Sequence, residues 1–195
     1  TLSHNTATNG GAVWYTGDGS VTVSGGNVSE NSADNGGAIY MNTGTLTVSG
    51  GSMGKNTASG NGGAVYAASA TVEISGGTIG DSENGNTAAS GGAVYANAGS
   101  VTVSGEGDIS YNTASTGNGG AICVNTASVS IAGGSVTNNT SSAGNGGAVY
   151  AGSGAVSMSG GSVSNNTANV SGGGIYAASG AVTLSGSVSS AVYST

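Results

Sequence analysis

The sequence predicts an all-β solenoid, a parallel β-helix of about seven coils of 26–29 residues with three short strands per coil. Three observations predict it. The phrase Gly-Gly-Ala-(Val/Ile)-aromatic, or a close variant, returns at Gly10, Gly36, Gly62, Gly91, Gly119, Gly146 and Gly172, at spacings of 26, 26, 29, 28, 27 and 26 residues. A fixed period of this size marks one supersecondary unit stacked on copies of itself. Between the phrases, apolar residues alternate with Ser and Thr over three to five positions bounded by Gly, Asn or Ser, which is strand periodicity. Finally, 41 glycines in 195 residues oppose any long helix.

Each element of the coil follows in order from the unit Asn61 to Thr87. Gly62-Gly63 turns the chain and Ala64-Val65-Tyr66-Ala67 forms the first strand. Thr71-Val72-Glu73-Ile74-Ser75 is the second, Gly76-Gly77 is a turn, and Thr78-Ile79 opens the third. Parallel strands need long crossovers, which the remainder of each coil supplies. The inward column of the first strand is Val13, Ile39, Val65, Val94, Ile122, Val149 and Ile175. The second strand contributes pairs from Val21/Val23 through Leu46/Val48 to Val182/Leu184, and the third contributes Leu2, Val28, Met53, Ile79, Ile109, Val136 and Val163. All are aliphatic and of similar size, as an evenly filled tube requires, and β-branched residues suit the pleat. Coils about 4.8 Å apart make a rod about 35 Å long.

Two polar columns hold the turns. Asn-Gly at Asn9, Asn35, Asn61, Asn118 and Asn145, with Ser90 and Ser171 as replacements, is a turn signal in which both residues tolerate positive φ. A second column, Asn5, Asn31, Asn56, Asn86, Asn112, Asn139 and Asn166, is expected to form a structural ladder of amides bonding from coil to coil and to the turn backbone.

The chain carries eight acids, one lysine, no arginine and one histidine, for a net charge of −7. Nucleic acids and anionic membrane surfaces both require clustered cations, so neither is an expected partner. No stretch of about 18 apolar residues exists, so no membrane insertion is expected. Cys123 is single, which precludes an internal disulfide. The chain opens at Thr1-Leu2-Ser3-His4-Asn5, already inside a repeat, and is read as one repeat domain over residues 1–195 belonging to a longer chain. Ala191-Val192-Tyr193 echoes the repeat phrase as a closing half-coil or a cut edge. Solenoid ends without caps predict end-to-end association, and lateral association is equally open to such a rod.

The paired signatures resemble the repeats of polymorphic outer-membrane proteins, bacterial surface adhesins with Gly-Gly-Ala-Ile and Phe-x-x-Asn motifs. Gly36-Gly37-Ala38-Ile39 and Gly119-Gly120-Ala121-Ile122 match the first. Leu2-Ser3-His4-Asn5, Val28-Ser29-Glu30-Asn31, Met53-Gly54-Lys55-Asn56, Ile109-Ser110-Tyr111-Asn112, Val136-Thr137-Asn138-Asn139 and Val163-Ser164-Asn165-Asn166 stand for the second, with an aliphatic residue in place of Phe. The resemblance implies a right-handed parallel β-helix, the hand also favoured by the chirality of parallel crossovers. It further implies an extracellular or cell-surface location and an adhesive or structural role, with a host or neighbouring-cell surface protein or glycan as partner.

Enzymatic chemistry is not expected. Polysaccharide-degrading β-helices use a basic residue or clustered carboxylates, and the only histidine here is His4, on the first coil. No cofactor is expected, save a weak calcium site at Asp81, Glu83, Glu106 and Asp108, where an insertion and its neighbouring coil gather four of the eight acids. Trp14, Tyr40, Tyr66, Tyr95, Tyr150 and Tyr176 follow inward residues and therefore point outward, either to shield strand edges by stacking or to bind a sugar or protein. Cys123 interrupts this column and reads as an exposed thiol. A flat Ser/Thr array along the second strand, from Ser20/Thr22/Ser24 to Thr183/Ser185 and broken by Glu73, suits an ice-binding surface as a further alternative.

Overall fold

The computed structural model describes residues 1–185 and the backbone of 189–190, so Ala191-Val192-Tyr193 lies outside the described residues. The chain is a parallel β-solenoid with three parallel sheets running along it and no helix among the described residues. Strands of the seven-stranded sheet begin with Val13–Tyr15 and Ile39–Met41 and end with Ile175–Ala177, each pairing in register with its copy one coil away. Both flanking positions of these three-residue strands face the interior. Val65 and Ala67 are fully buried on either side of half-exposed Tyr66, so the residue after the aromatic is a further core column.

The sequence-based strand boundaries need two corrections. The second and third strands are one continuous strand in most coils, such as Ser20–Ser29, Thr45–Gly54 and Ser128–Thr137, all in a ten-stranded sheet. Their pairing register shifts at Ser-Gly-Gly, where the second glycine has positive φ: Gly26 (81°), Gly51 (82°) and Gly77 (74°). The glycines therefore bend a strand by a bulge instead of ending it. In the coil where Ser104-Gly105-Glu106-Gly107 adds a residue, the strand does break, into Ser100–Val103 and Asp108–Ser110. The third sheet is instead a six-stranded stack of two-residue strands, Ser32–Ala33 to Thr167–Ala168, in a segment that reads as turn from sequence.

The first two glycines of the repeat phrase do different work. Gly62 has φ +68°, and a Cβ there would collide with the Val65 carbonyl of its own strand. Gly63 packs inward, where a Cβ would run into the Gly92 carbonyl and lie 2.8 Å from the Thr87 nitrogen of the next coil. The Asn of the Asn-Gly pair does not share the positive φ; it bonds laterally instead, as where Asn61 N–H donates to Asn35 Oδ1 at 3.1 Å. Left-handed backbone falls one residue before the ladder asparagines, at His4, Glu30, Lys55, Tyr111, Asn138 and Asn165, with φ of 55–59°. Such a conformation is strained for all but Gly, Asn and Asp.

The core is one continuous aliphatic column from Val23 and Val28 to Met158 and Val163. Beside it runs the asparagine column. Asn31, Asn56, Asn86, Asn112 and Asn139 are completely buried. Each Oδ1 accepts from both the backbone N–H and the Nδ2 of the asparagine one coil below: Asn56 N and Nδ2 each reach Asn86 Oδ1 at 2.9 Å. Each Nδ2 also donates to a main-chain carbonyl of the coil below, as Asn86 does to Met53 at 3.0 Å. Among the described residues no buried side-chain polar atom lacks a partner, which is why amides are tolerated at the edge of an apolar tube. No helix of the described residues is long and apolar enough to cross a membrane.

Candidate functional site

Outward positions alone are free for recognition, because the inward ones are committed to the core. The predicted aromatic residues do share one column. Trp14, Tyr40, Tyr66 and Tyr95 pair in register through consecutive coils, followed by Cys123, Tyr150 and Tyr176. Tyr40 and Tyr66 stack with centroids 4.8 Å apart, Tyr66 and Tyr95 at 5.3 Å, and Tyr150 and Tyr176 at 5.5 Å, with planes within 7–15° of parallel. Tyr66 therefore has both ring faces covered, and Tyr40, Tyr95, Tyr150 and Tyr176 have one each. Burial, with Tyr40 alongside, raises the Tyr66 phenol above its ordinary range. Burial also raises Tyr95, with smaller contributions from Cys123, Tyr66 and Tyr150. Trp14 is 65% exposed and forms no ring stack among the described residues.

Cys123 is a correction. It is 5% exposed, and desolvation pushes its thiol up to about 12. Its side chain is short, and its in-register neighbours Tyr95 and Tyr150 are long. A small residue between two rings in the column lies below the surface they define. Raised in this way, the buried thiol stays protonated at neutral pH, which disfavours it as a nucleophile.

The four acids do not converge either. Asp81 is engaged by its own loop: Oδ1 accepts from the backbone N–H groups of Glu83 (2.9 Å) and Asn84 (3.0 Å), and Asn84 Nδ2 donates to both carboxylate oxygens at 2.7 and 2.8 Å. Those bonds, led by the Asn84 side chain, hold its carboxyl below the usual carboxylate range, with Lys55 adding to the effect. Asp108 is spent on Ser135 Oγ at 2.6 Å and Ser110 Oγ at 3.0 Å. Among the described residues no three of His, Cys, Asp and Glu gather as a metal site needs. Asp81 and Asp108 are thus each held by hydrogen-bond donors of their own surroundings.

Residues 52–68 and 160–178 match the Chlamydia polymorphic membrane protein repeat. Those two segments are similar to the polymorphic membrane protein repeat. No curated protein and no solved structure matches it. Each matched segment covers one piece of the coil, from the aliphatic-x-x-Asn step (Met53 to Asn56, Val163 to Asn166) to the glycine phrase and its tyrosine (Tyr66, Tyr176). The polymorphic membrane protein repeat thus coincides with the asparagine ladder, the short Thr-Ala strand and the inward Gly-Gly turn. Its signature positions are structural. With the solenoid, the repeat supports a surface-associated, adhesin-like β-helix in general terms.

What varies from coil to coil lies outward. The Ser/Thr array of the long sheet is a regular face in register, with Thr47, Glu73 and Thr102 side by side. One surface cleft departs from that regularity. It is lined by Asn27, Ser29, Glu30, Ser52, Gly54, Lys55 and Asn84 and has a volume of about 200 Å³. Sequence reasoning missed it, although the insertion that builds it was legible.

Proposed function

We propose that this chain is an extracellular rod of an adhesin-like bacterial surface protein, whose solenoid holds binding surfaces away from the cell. The observation that carries this reading is the polymorphic membrane protein repeat set on a continuous solenoid. The interior supplies rigidity through one unbroken core and a satisfied amide column. The outward positions are left to recognise a protein or glycan on a host or neighbouring cell. Among the described residues the histidine pairs with half-exposed Glu30 at 2.8 Å and the cysteine is buried. A binding role accounts for these features better than an enzymatic one.

Displaying the chain on a non-adherent bacterium tests the reading. Retention on cultured mammalian cells or on a second bacterial species should rise above that of cells displaying an unrelated solenoid of equal charge. Equal retention on every surface would overturn it. Of the two more specific alternatives, a sugar platform on the tyrosine column is disfavoured by the stacking, which covers both faces of Tyr66 and one face each of Tyr40, Tyr95, Tyr150 and Tyr176. The ice-binding alternative is disfavoured by Glu73 in the middle of the Ser/Thr face.

A further inference from the structure

Most coils pass from the third-strand aliphatic residue to the ladder asparagine in three steps, as from Met53 to Asn56. One coil takes seven, from Ile79 to Asn86. Gly80, at φ +80°, turns the chain outward, and the loop returns across the face of the preceding coil. There Lys55 N–H donates to the Asn84 carbonyl at 3.1 Å. A Cβ at Gly54 would come within 2.7 Å of both Asn84 Cβ and its carbonyl oxygen, whereas the in-register residue one coil earlier is Ser29. The side chain missing at Gly54 is therefore matched to the loop, and the Asp81–Asn84 bonds lock the loop in place. The product is a cleft lined by in-register Asn27 and Ser52, by Glu30 and Lys55, and by Asn84 of the returning loop.

We propose that this cleft binds one neutral pyranose unit of a glycan, a proposal that rests on the reading of the rod as a carrier of binding surfaces. Four observations carry it. Among the described residues the side chains of Asn27, Ser29, Ser52 and Lys55 make no hydrogen bond or ion pair, although they line a common cleft. In the same outward column further along, by contrast, Asp108 is consumed by Ser110 and Ser135.

The lining contains no aliphatic or aromatic side chain, which leaves nothing for an apolar ligand to gain. The charges select against ions. Glu30 lines the cleft and Asp81 lies near enough to feel Lys55, and these carboxylates repel an anion, while the Lys55 ammonium repels a cation. What remains is a neutral ligand whose groups both donate and accept. Sugar hydroxyls do so, and the cleft offers donors on Lys55, Asn27 and the serines together with acceptors on Glu30, Asn27 and Asn84. The volume of about 200 Å³ falls below that of drug-sized pockets and suits a single ring.

The test is a titration of the ¹⁵N-labelled chain with methyl α-glucopyranoside, methyl α-galactopyranoside, methyl α-mannopyranoside and glucuronate, up to about 50 mM, followed by amide shifts. The expected result is saturable shifts centred on Gly54, Lys55 and Asn84 for at least one neutral pyranoside, with Kd on the order of 1–10 mM. The Asn27→Ala/Ser52→Ala double variant and Glu30→Gln should each weaken binding about tenfold. Ser157→Ala, on a remote coil, should leave it unchanged. Those side chains hold no buried contact, so an unaltered melting temperature verifies the fold of each variant.

Flat titrations with all neutral pyranosides, shifts centred on the tyrosine column, tighter binding of glucuronate, or insensitivity to the variants would each overturn the site. Cell binding that survives alongside flat titrations would reject the site and leave the surface reading standing. Sugar binding at the cleft without any cell binding would do the reverse.

Discussion

Replacing Asn86 by Ala removes a side chain that makes four hydrogen bonds inside the solenoid. Its Oδ1 accepts from Asn56 N–H and Nδ2, and its Nδ2 donates to the Met53 carbonyl and Asn112 Oδ1. The two acceptors survive the loss: the Met53 carbonyl keeps Gly80 N–H at 2.8 Å, and Asn112 Oδ1 keeps the backbone N–H of residue 86 at 3.0 Å. The two donors do not. Asn56 N–H and one Nδ2 hydrogen are left buried without partners, at about 1–3 kcal/mol each. The expected destabilisation is therefore about 4 kcal/mol, or roughly 8–16 °C in melting temperature for a chain of this size.

Asn5 is the internal control. It is exposed, and its side chain makes one bond, to Asn31 Oδ1 at 2.9 Å, so Asn5→Ala should cost less than about 1 kcal/mol. Urea melts followed by circular dichroism measure both. If Asn86→Ala costs no more than Asn5→Ala, the column does not carry the stability assigned to it.

Four further outcomes follow from the same geometry. Tyr111 sits at φ 56° and is 44% exposed, so Tyr111→Asn, the residue found at 138 and 165 in that column, should stabilise by about 1 kcal/mol in a denaturant melt. Gly63→Ala should destabilise by about 3 kcal/mol or prevent folding, because its Cβ meets backbone of the adjacent coil; soluble yield and melting temperature read this. Cys123 should resist a thiol reagent at pH 8 until the chain unfolds. Its thiol, raised from 9.0 to about 12 in the fold, also makes stability full below pH 9 and declining from pH 9 towards 12. Asp81 has the opposite sign: its carboxyl is lowered in the fold, so the loop's support is present at neutral pH and lost as pH falls through and below the ordinary carboxylate range, a change visible in the Asn84 amide resonance.

The coil was legible because each of its columns repeats. Val65, Val72, Ile74 and Ile79 declare the tube, and the period declares the stacking. Two-residue strands such as Thr57–Ala58 carry no periodicity of their own and exist through pairing with Ser32–Ala33 and the strand at Thr87. The bulge at Ser-Gly-Gly reads as a turn because glycine serves both purposes. Cys123 looked exposed because alternation gives direction and not depth; depth came from tyrosines 28 residues before it and 27 after. The acids misled for a related reason. Proximity along the chain placed Asp81 and Asp108 together, and local donors then took each one separately. The cleft needed three separate segments to meet, of which only the insertion was visible as a break in the period.

The central claim is that the repeat builds an inert interior and leaves recognition of another surface to the outward positions. Equilibrium binding of fluorescently labelled chain to cultured mammalian and bacterial cells, with unlabelled chain as competitor, measures it directly. The account predicts saturable, competed binding that outward substitutions such as Asn27→Ala/Ser52→Ala reduce without lowering the melting temperature. Binding that never saturates, or that falls only when the fold is destabilised, would contradict it.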